Sequence, residues 1–364
     1  MPKIQYIYTF KYNILRKLTV LFTLLITTIL FAQEPKVIVI TMDGVRWKEV
    51  FRGADKYLIN QANFTSSIPT YKEKYFVEDS IQRRELLMPF TWNKISEDGI
   101  ILGNRDEHNY VNLTNKPLWS YPGYNEIITG KPDNINIINN DDVLNPNISI
   151  FEYINNIPSY NQKVMIFGSW NVFPYIFNQR RSGLLINAGY QQSLNQEKST
   201  KEELLDKVQM QMPRHWKNTR FDIFTHEYAL EALKNQKPKV VYIGYGEADD
   251  FGHDKSYNNY LDAINRNDKM IEEIWNYVQS DPFYKDQTTL LITTDHGRGN
   301  YYEWVDHSKN VKGSSNSFIM LLGPTIKQDQ FKKKQYYSTQ IAQTIADLMQ
   351  IKWNNPEAGK SLLK

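Results

Sequence analysis

Uninterrupted apolar and β-branched runs recur along this chain, and several stop abruptly on a charged residue. Residues 36–42 (Lys-Val-Ile-Val-Ile-Thr-Met), 239–246 and 288–294 are such runs. Runs of this length without polar alternation predict strands buried on both faces. Residues 164–169, 183–189 and 317–322 predict further strands. Between them the spacing becomes helical over 201–212, 221–235 and 258–280, the last with Leu261, Ile264, Met270, Ile271, Ile274, Trp275 and Val278 inward. A final helix is expected over 339–350, capped by Ser338. Pro122 suits a first helical turn and Gly130 a C-cap, so a short helix lies between them. Another helix is expected from about Asn147. Residues 52–115 are irregular and polar, with helical character only near 79–87. There is no internal repeat and no long linker. Strands alternate with helices, which predicts one α/β domain over residues 33–364, with a mostly parallel central sheet and helices on both faces.

What the strands deliver at their tips gives the pattern chemical content. The first ends in Asp43-Gly44. The run 239–246 ends in Glu247-Ala248-Asp249-Asp250-Phe251-Gly252-His253. The run 288–294 ends in Asp295-His296-Gly297. In open α/β sheets, ligands bind beyond the carboxyl ends of the strands. Asp249 and His253, four apart, share one face of a helical turn and can share a cation. Adjacent Asp295 and His296 point apart on an extended chain, but a turn over Gly297 lets both reach one crevice. His307 lies on a loop leading back to the sheet. Ser120 stands just before the short helix, either as an N-cap or as a nucleophile facing an incoming anion. Asn140, in the polar loop 139–142, is either a turn residue or an amide donor to a phosphoryl oxygen. His108, His215 and His226 read as loop or packing residues.

Composition narrows the classes. Net charge is +3, from 43 basic and 40 acidic residues, with no basic stripe, so no nucleic-acid polymer is expected as a partner. The absence of cysteine excludes disulfides, a lipid-modified cysteine and thiolate zinc ligands. Lys3, Lys11, Arg16 and Lys17 precede an uncharged apolar run, 18–32. A basic head and an apolar stretch of this length predict a secretory signal over 1–32 and export to the periplasm or the extracellular space. An uncleaved membrane anchor is the alternative for that stretch.

The ordered set Asp43, Ser120, Glu247-x-Asp249-x-x-Gly252-His253, Asp295-His296-Gly297 and His307 resembles the alkaline phosphatase superfamily of two-metal hydrolases. The likeness runs from Val37 to Pro324 and is nearest the nucleotide pyrophosphatase/phosphodiesterase and phosphate-monoesterase branches. It implies two zinc ions, or other divalent ions. Asp43, Ser120, Asp295 and His296 would hold one, and Asp249, His253 and His307 the other. It further implies a small phosphate ester, monoester or diester, as substrate and a covalent phosphoserine on Ser120. Asn140 and the Tyr121 N–H would hold phosphoryl oxygens, and Arg46, Lys131 and Arg298 are candidate substrate contacts. Many diesterase relatives carry Thr at the nucleophile position, and the Lys-x-Arg clamp of one monoesterase group is not apparent near Ser169-Trp170-Asn171. A sulfatase motif fails at Tyr124, where Arg is required. A metal-dependent phosphoglycerate mutase would carry a large inserted domain. The remaining alternative is a non-catalytic metal-containing binding protein on the same scaffold.

Overall fold

The computed structural model describes residues 34–364; the predicted leader lies outside the described residues. Residues 35–364 form one compact unit. Ten strands occur among the described residues: β1 (Lys36–Met42), β2 (Ile100–Leu102), β3 (Tyr110–Asn112), β4 (Val164–Gly168), β5 (Leu185–Ala188), β6 (Val240–Tyr245), β7 (Thr288–Thr293), β8 (Asn316–Ser317), β9 (Ile319–Leu322) and β10 (Gln335–Tyr337). Seven of them form the central sheet in the order β2-β9-β7-β1-β6-β4-β5. The pairs β7–β1, β1–β6, β6–β4 and β4–β5 are parallel, while β9 and β2 join antiparallel. The sheet is therefore mostly parallel, as the unbroken apolar runs imply.

Alternation along β1 shows how both faces are covered. Ile38, Ile40 and Met42 enter a core shared with helices α2 (Asp222–Asn235) and α4 (Tyr257–Ser280), through residues such as Phe224, Tyr228, Leu261 and Ile264. Val37 and Val39 enter a second core with α1 (Ser120–Thr129) and α5 (Ile341–Leu348), through Tyr124, Ile127, Ile341 and Ile345. A shorter helix, α3 (Glu247–His253), follows β6 directly.

The boundaries shift by a few residues from expectation. The helix expected from Asn147 begins at Ile150, because Ser149 is the residue whose side chain accepts the Glu152 N–H. Ser338 does not cap the last helix; it lies in a 3₁₀ turn, Ser338–Gln340, that precedes α5. Residues 52–115 are more ordered than expected, with helices Ile68–Tyr75 and Ser80–Leu87 and strands β2 and β3. A small second sheet, β10-β3-β8, completes the fold.

Candidate metal centre

Strand order brings the chemistry together. β1 lies between β7 and β6, so the three tips that carry Asp295-His296, Asp43 and Asp249 are neighbours. All three strands are wholly buried, which fixes where those tips end. Asp43 turns out of β1 over Gly44, whose φ of +64° is left-handed. A side chain at Gly44 would collide with the Asp249 carboxylate, so the turn also sets how closely the Asp43 and Asp249 tips approach.

Ser120 opens α1, and its neighbour Trp119 occupies the N-cap position without a side-chain cap. The serine hydroxyl is thus not spent on capping. Its Oγ lies 3.2 Å from His296 Nε2. That nitrogen is 3.4 Å from Asp43 Oδ1, 3.5 Å from Asp295 Oδ2 and 3.7 Å from Asp249 Oδ1. Asp249 Oδ2 is 3.2 Å from His253 Nε2, which is 3.2 Å from His307 Nε2. All seven expected ligands therefore converge, and Asp43, Ser120, Asp249, His253 and His307 line one hollow. Two ligand groups stand out: Asp43, Asp295 and His296, and Asp249, His296 and His307. His296 belongs to both, and its ring stacks on His307 at 3.5 Å between centroids. The division of ligands is thus less clean than the resemblance implies.

Supporting contacts orient the set. Tyr124 donates to Asp43 Oδ2 at 2.7 Å, and the Gly44 N–H donates to Asp295 Oδ1 at 3.2 Å. The second ring nitrogens of His296 and His307 lie 2.9 Å from the Gly297 carbonyl and 3.0 Å from the Leu118 carbonyl, which leaves each Nε2 facing the hollow. Arg298 is buried, and its guanidinium pairs with Asp249 Oδ1.

Electrostatics describe a site crowded with like charge. Burial, and then the neighbouring Asp249, hold the Asp43 carboxyl well above the usual carboxylate range. Burial and Asp43 do the same to Asp295. Burial also works against the charge on Asp249, but His253, Arg298 and His307 outweigh it and hold that carboxyl well below the usual range. Asp249 in turn raises His253. Burial, aided by His296, depresses His307. Asp43 Oδ1 and Asp295 Oδ2 are buried with no hydrogen-bond partner among the described residues. Unpartnered buried carboxylate oxygens are costly, and divalent cations in the same hollow would satisfy them. The donor set is imidazole, carboxylate and hydroxyl without thiolate, which suits zinc and related divalent ions.

The hollow encloses about 190 Å³ and is lined by Asp43, Ser120, Asn140, Asp249, His253 and His307, among others. Asn140 Oδ1 accepts the Tyr121 N–H at 2.9 Å. That corrects one expectation: the Tyr121 N–H is engaged by Asn140 and not free for a phosphoryl oxygen. Three other expectations are also corrected. Buried Arg46 is held by Glu49 and the Gly299 carbonyl, and Lys131 pairs with Glu357, so neither is left for substrate. Arg298 is likewise held inside, by Asp249 and the Trp304 and Val305 carbonyls. His226 packs in the core between Tyr245 and Glu273, as a packing residue should.

Solved structures share this architecture. The alkaline phosphatase PafA superposes with a TM-score of 0.61 at 11% identity, covering 90% of this chain and 98% of that one. The fold is alkaline phosphatase-like. A 2-O GAG sulfatase matches with a TM-score of 0.55 at 13% identity, over 90% of this chain and 73% of that one. A family model of the Metalloenzyme superfamily matches residues 185–353. That span holds Asp249, His253, Asp295, His296 and His307, while Asp43, Ser120 and Asn140 precede it. A 2,3-bisphosphoglycerate-independent phosphoglycerate mutase from Gracilaria tenuistipitata var. liui is 30% identical over 139 residues, 38% of this chain. The match spans about a quarter of that relative's length (26%).

Proposed function

We propose that this chain is an exported two-metal phosphohydrolase that cleaves phosphate esters through a phosphoserine on Ser120. The observation that carries this reading is the placement of the Ser120 hydroxyl at the hollow where three carboxylates and three imidazoles converge. Two divalent cations, when bound, supply the charge that favours the ionised serine and an ionised water and offsets the charge of the phosphoryl transition state. Asp43, Asp295 and His296 would hold one of them, and Asp249, His253 and His307 the other. Ser120 Oγ attacks phosphorus, and the leaving oxygen departs with the bonding pair. Water then releases phosphate from the serine. With Oδ1 occupied by Tyr121, the Asn140 amide nitrogen is the end left to donate to a phosphoryl oxygen.

A sulfatase is the weaker reading. Tyr124, at the place of the motif arginine, is buried and spends its hydroxyl on Asp43. The deciding experiment is a matched panel of phosphate monoesters, diesters and sulfate esters with zinc supplied, alongside intact-mass analysis for a phosphorylated serine. The reading predicts turnover of phosphate esters and loss of both turnover and phosphorylation in Ser120→Ala, with metal content retained. Faster sulfate-ester turnover, or near-normal activity of Ser120→Ala, overturns it.

A further inference from the structure

Beside the metal centre lies a second, larger hollow of about 670 Å³, the size of a site for a nucleotide or disaccharide. Three short chain segments serve both hollows. Asn140 lines the first and Asp142 the second; Trp170 lines the first and Asn171 the second; Thr219 lines the first and Lys217 the second. Two residues of chain span at most about 7 Å, so at each segment the hollows are separated by no more than a thin wall. Pairing of Trp170 with Thr219, and the Asn171 N–H donating to the Asn218 carbonyl at 2.9 Å, hold two of these segments side by side. The Tyr121 hydroxyl, one residue from the nucleophile, donates to the carbonyls of Val143 and Tyr175 and ties the groove to the serine helix.

The groove is cationic. Arg180, Arg214 and Lys217 line it against one carboxylate, Asp142. All three cations are exposed, and none has an ion-pair partner among the described residues. By contrast, Lys48, Arg52 and Lys56, which line another hollow, are each paired with a carboxylate. Arg214 is also preplaced: its guanidinium lies 4.2 Å over the Tyr190 ring, and the Tyr190 hydroxyl is anchored at 2.7 Å from the Trp216 and Thr219 carbonyls. A stacked guanidinium with a free fork is suited to a phosphate or carboxylate.

We infer that this groove binds a second anionic group on the substrate, carried by the alcohol that leaves phosphorus. The substrate class is then phosphate esters of bulky, anionic leaving groups, and it rests on the phosphohydrolase reading above. Two substrates separate the ideas. In p-nitrophenyl phosphate the leaving group has no further phosphate; in fructose 1,6-bisphosphate the alcohol leaving either phosphorus carries one. The triple variant Arg180→Ala/Arg214→Ala/Lys217→Ala should lower kcat/KM for fructose 1,6-bisphosphate by roughly 10- to 100-fold while p-nitrophenyl phosphate turnover stays near wild type. Arg214→Ala alone should show a smaller loss of the same sign, which guards against misfolding of the triple variant. An unchanged ratio of the two rates, or an equal fall in both, overturns the groove. Calorimetric titration of metal-free protein with fructose 1,6-bisphosphate tests the groove even if no ester is turned over. Binding at least 10-fold weaker in the triple variant supports it, and equal binding overturns it.

Discussion

Gly123 in α1 lies against the carbonyl oxygen of Asp295, so close that a Cβ at position 123 would overlap that oxygen. The contact docks the helix that bears Ser120 directly onto the strand tip that bears two candidate metal ligands, Asp295 and His296. Alanine is intrinsically better than glycine inside a helix by about 1 kcal/mol, so α1 itself tolerates the change. The clash must instead be relieved by sliding α1 away from β7. Displacements of about 1 Å at a reacting group cost on the order of 100-fold in rate. Gly123→Ala should therefore lower turnover by about that factor with circular dichroism and metal content unchanged. Wild-type turnover would show that α1 does not set the position of Ser120.

Asp249 stands at one side of the centre and Asp43 at the other. His253 and His307 both reach Asp249, whereas Asp43, Asp295 and His296 form a group without it. On the proposed two-ion reading, Asp249→Ala should thus lower metal content from two ions per chain towards one, read by elemental analysis after equilibrium dialysis. Equal loss of both ions together with unfolding would make Asp249 a structural carboxylate only.

Arg298 is the fixed cation beside Asp249, and Gly252 makes room for it, since a Cβ there would overlap the guanidinium carbon. Arg298→Met keeps most of the side-chain volume and removes the charge. Breaking a buried ion pair costs about 3–5 kcal/mol. The metal-free variant should lose Tm markedly, and saturating zinc should recover much of the loss, because a bound cation can take over the neutralisation of Asp249. The measurement is Tm with and without zinc for both proteins. An equal Tm loss in both conditions would mean that Arg298 acts by packing alone.

How much of the fold and the centre is readable from the chain depends on how local each signal is. β1, β6 and β7 are buried on both faces, so their apolar runs declare them, and Asp43, Asp249 and Asp295 are found as the acids just beyond their ends. Ser120 is ambiguous as a residue; only the fold shows that Trp119 takes the cap position. The small sheet is invisible in the sequence because β3 and β8 are three and two residues long, too short for any period to show. Lys131 and Arg298 look available for substrate because their carboxylate partners, Glu357 and Asp249, are distant in sequence; Arg46 pairs with nearby Glu49, but the Gly299 carbonyl that completes its burial is 253 residues away. The cationic groove draws its lining from residues 142 to 217, a convergence that no linear motif records.

Acid should loosen the loop that carries Asn140 before it unfolds the domain. Asp133 staples that loop: its Oδ1 accepts the N–H groups of Ile135 and Asn136, and its Oδ2 accepts from the Asn147 amide at 2.8 Å. Partial burial opposes its ionisation, but these hydrogen bonds prevail and bring its pKa down to about 2. The pKa of an aspartate in an unfolded chain is about 3.9. A group depressed on folding contributes stability that is complete above the unfolded value and is lost as pH falls through the folded one. The staple should therefore weaken between about pH 4 and pH 2. Amide exchange at Ile135 and Asn136, corrected for intrinsic rates, should accelerate across that window in the native protein. In Asp133→Asn the same amides should exchange faster throughout and show no such step. If the native protein also lacks the step, the Asp133 hydrogen bonds do not hold the loop in solution.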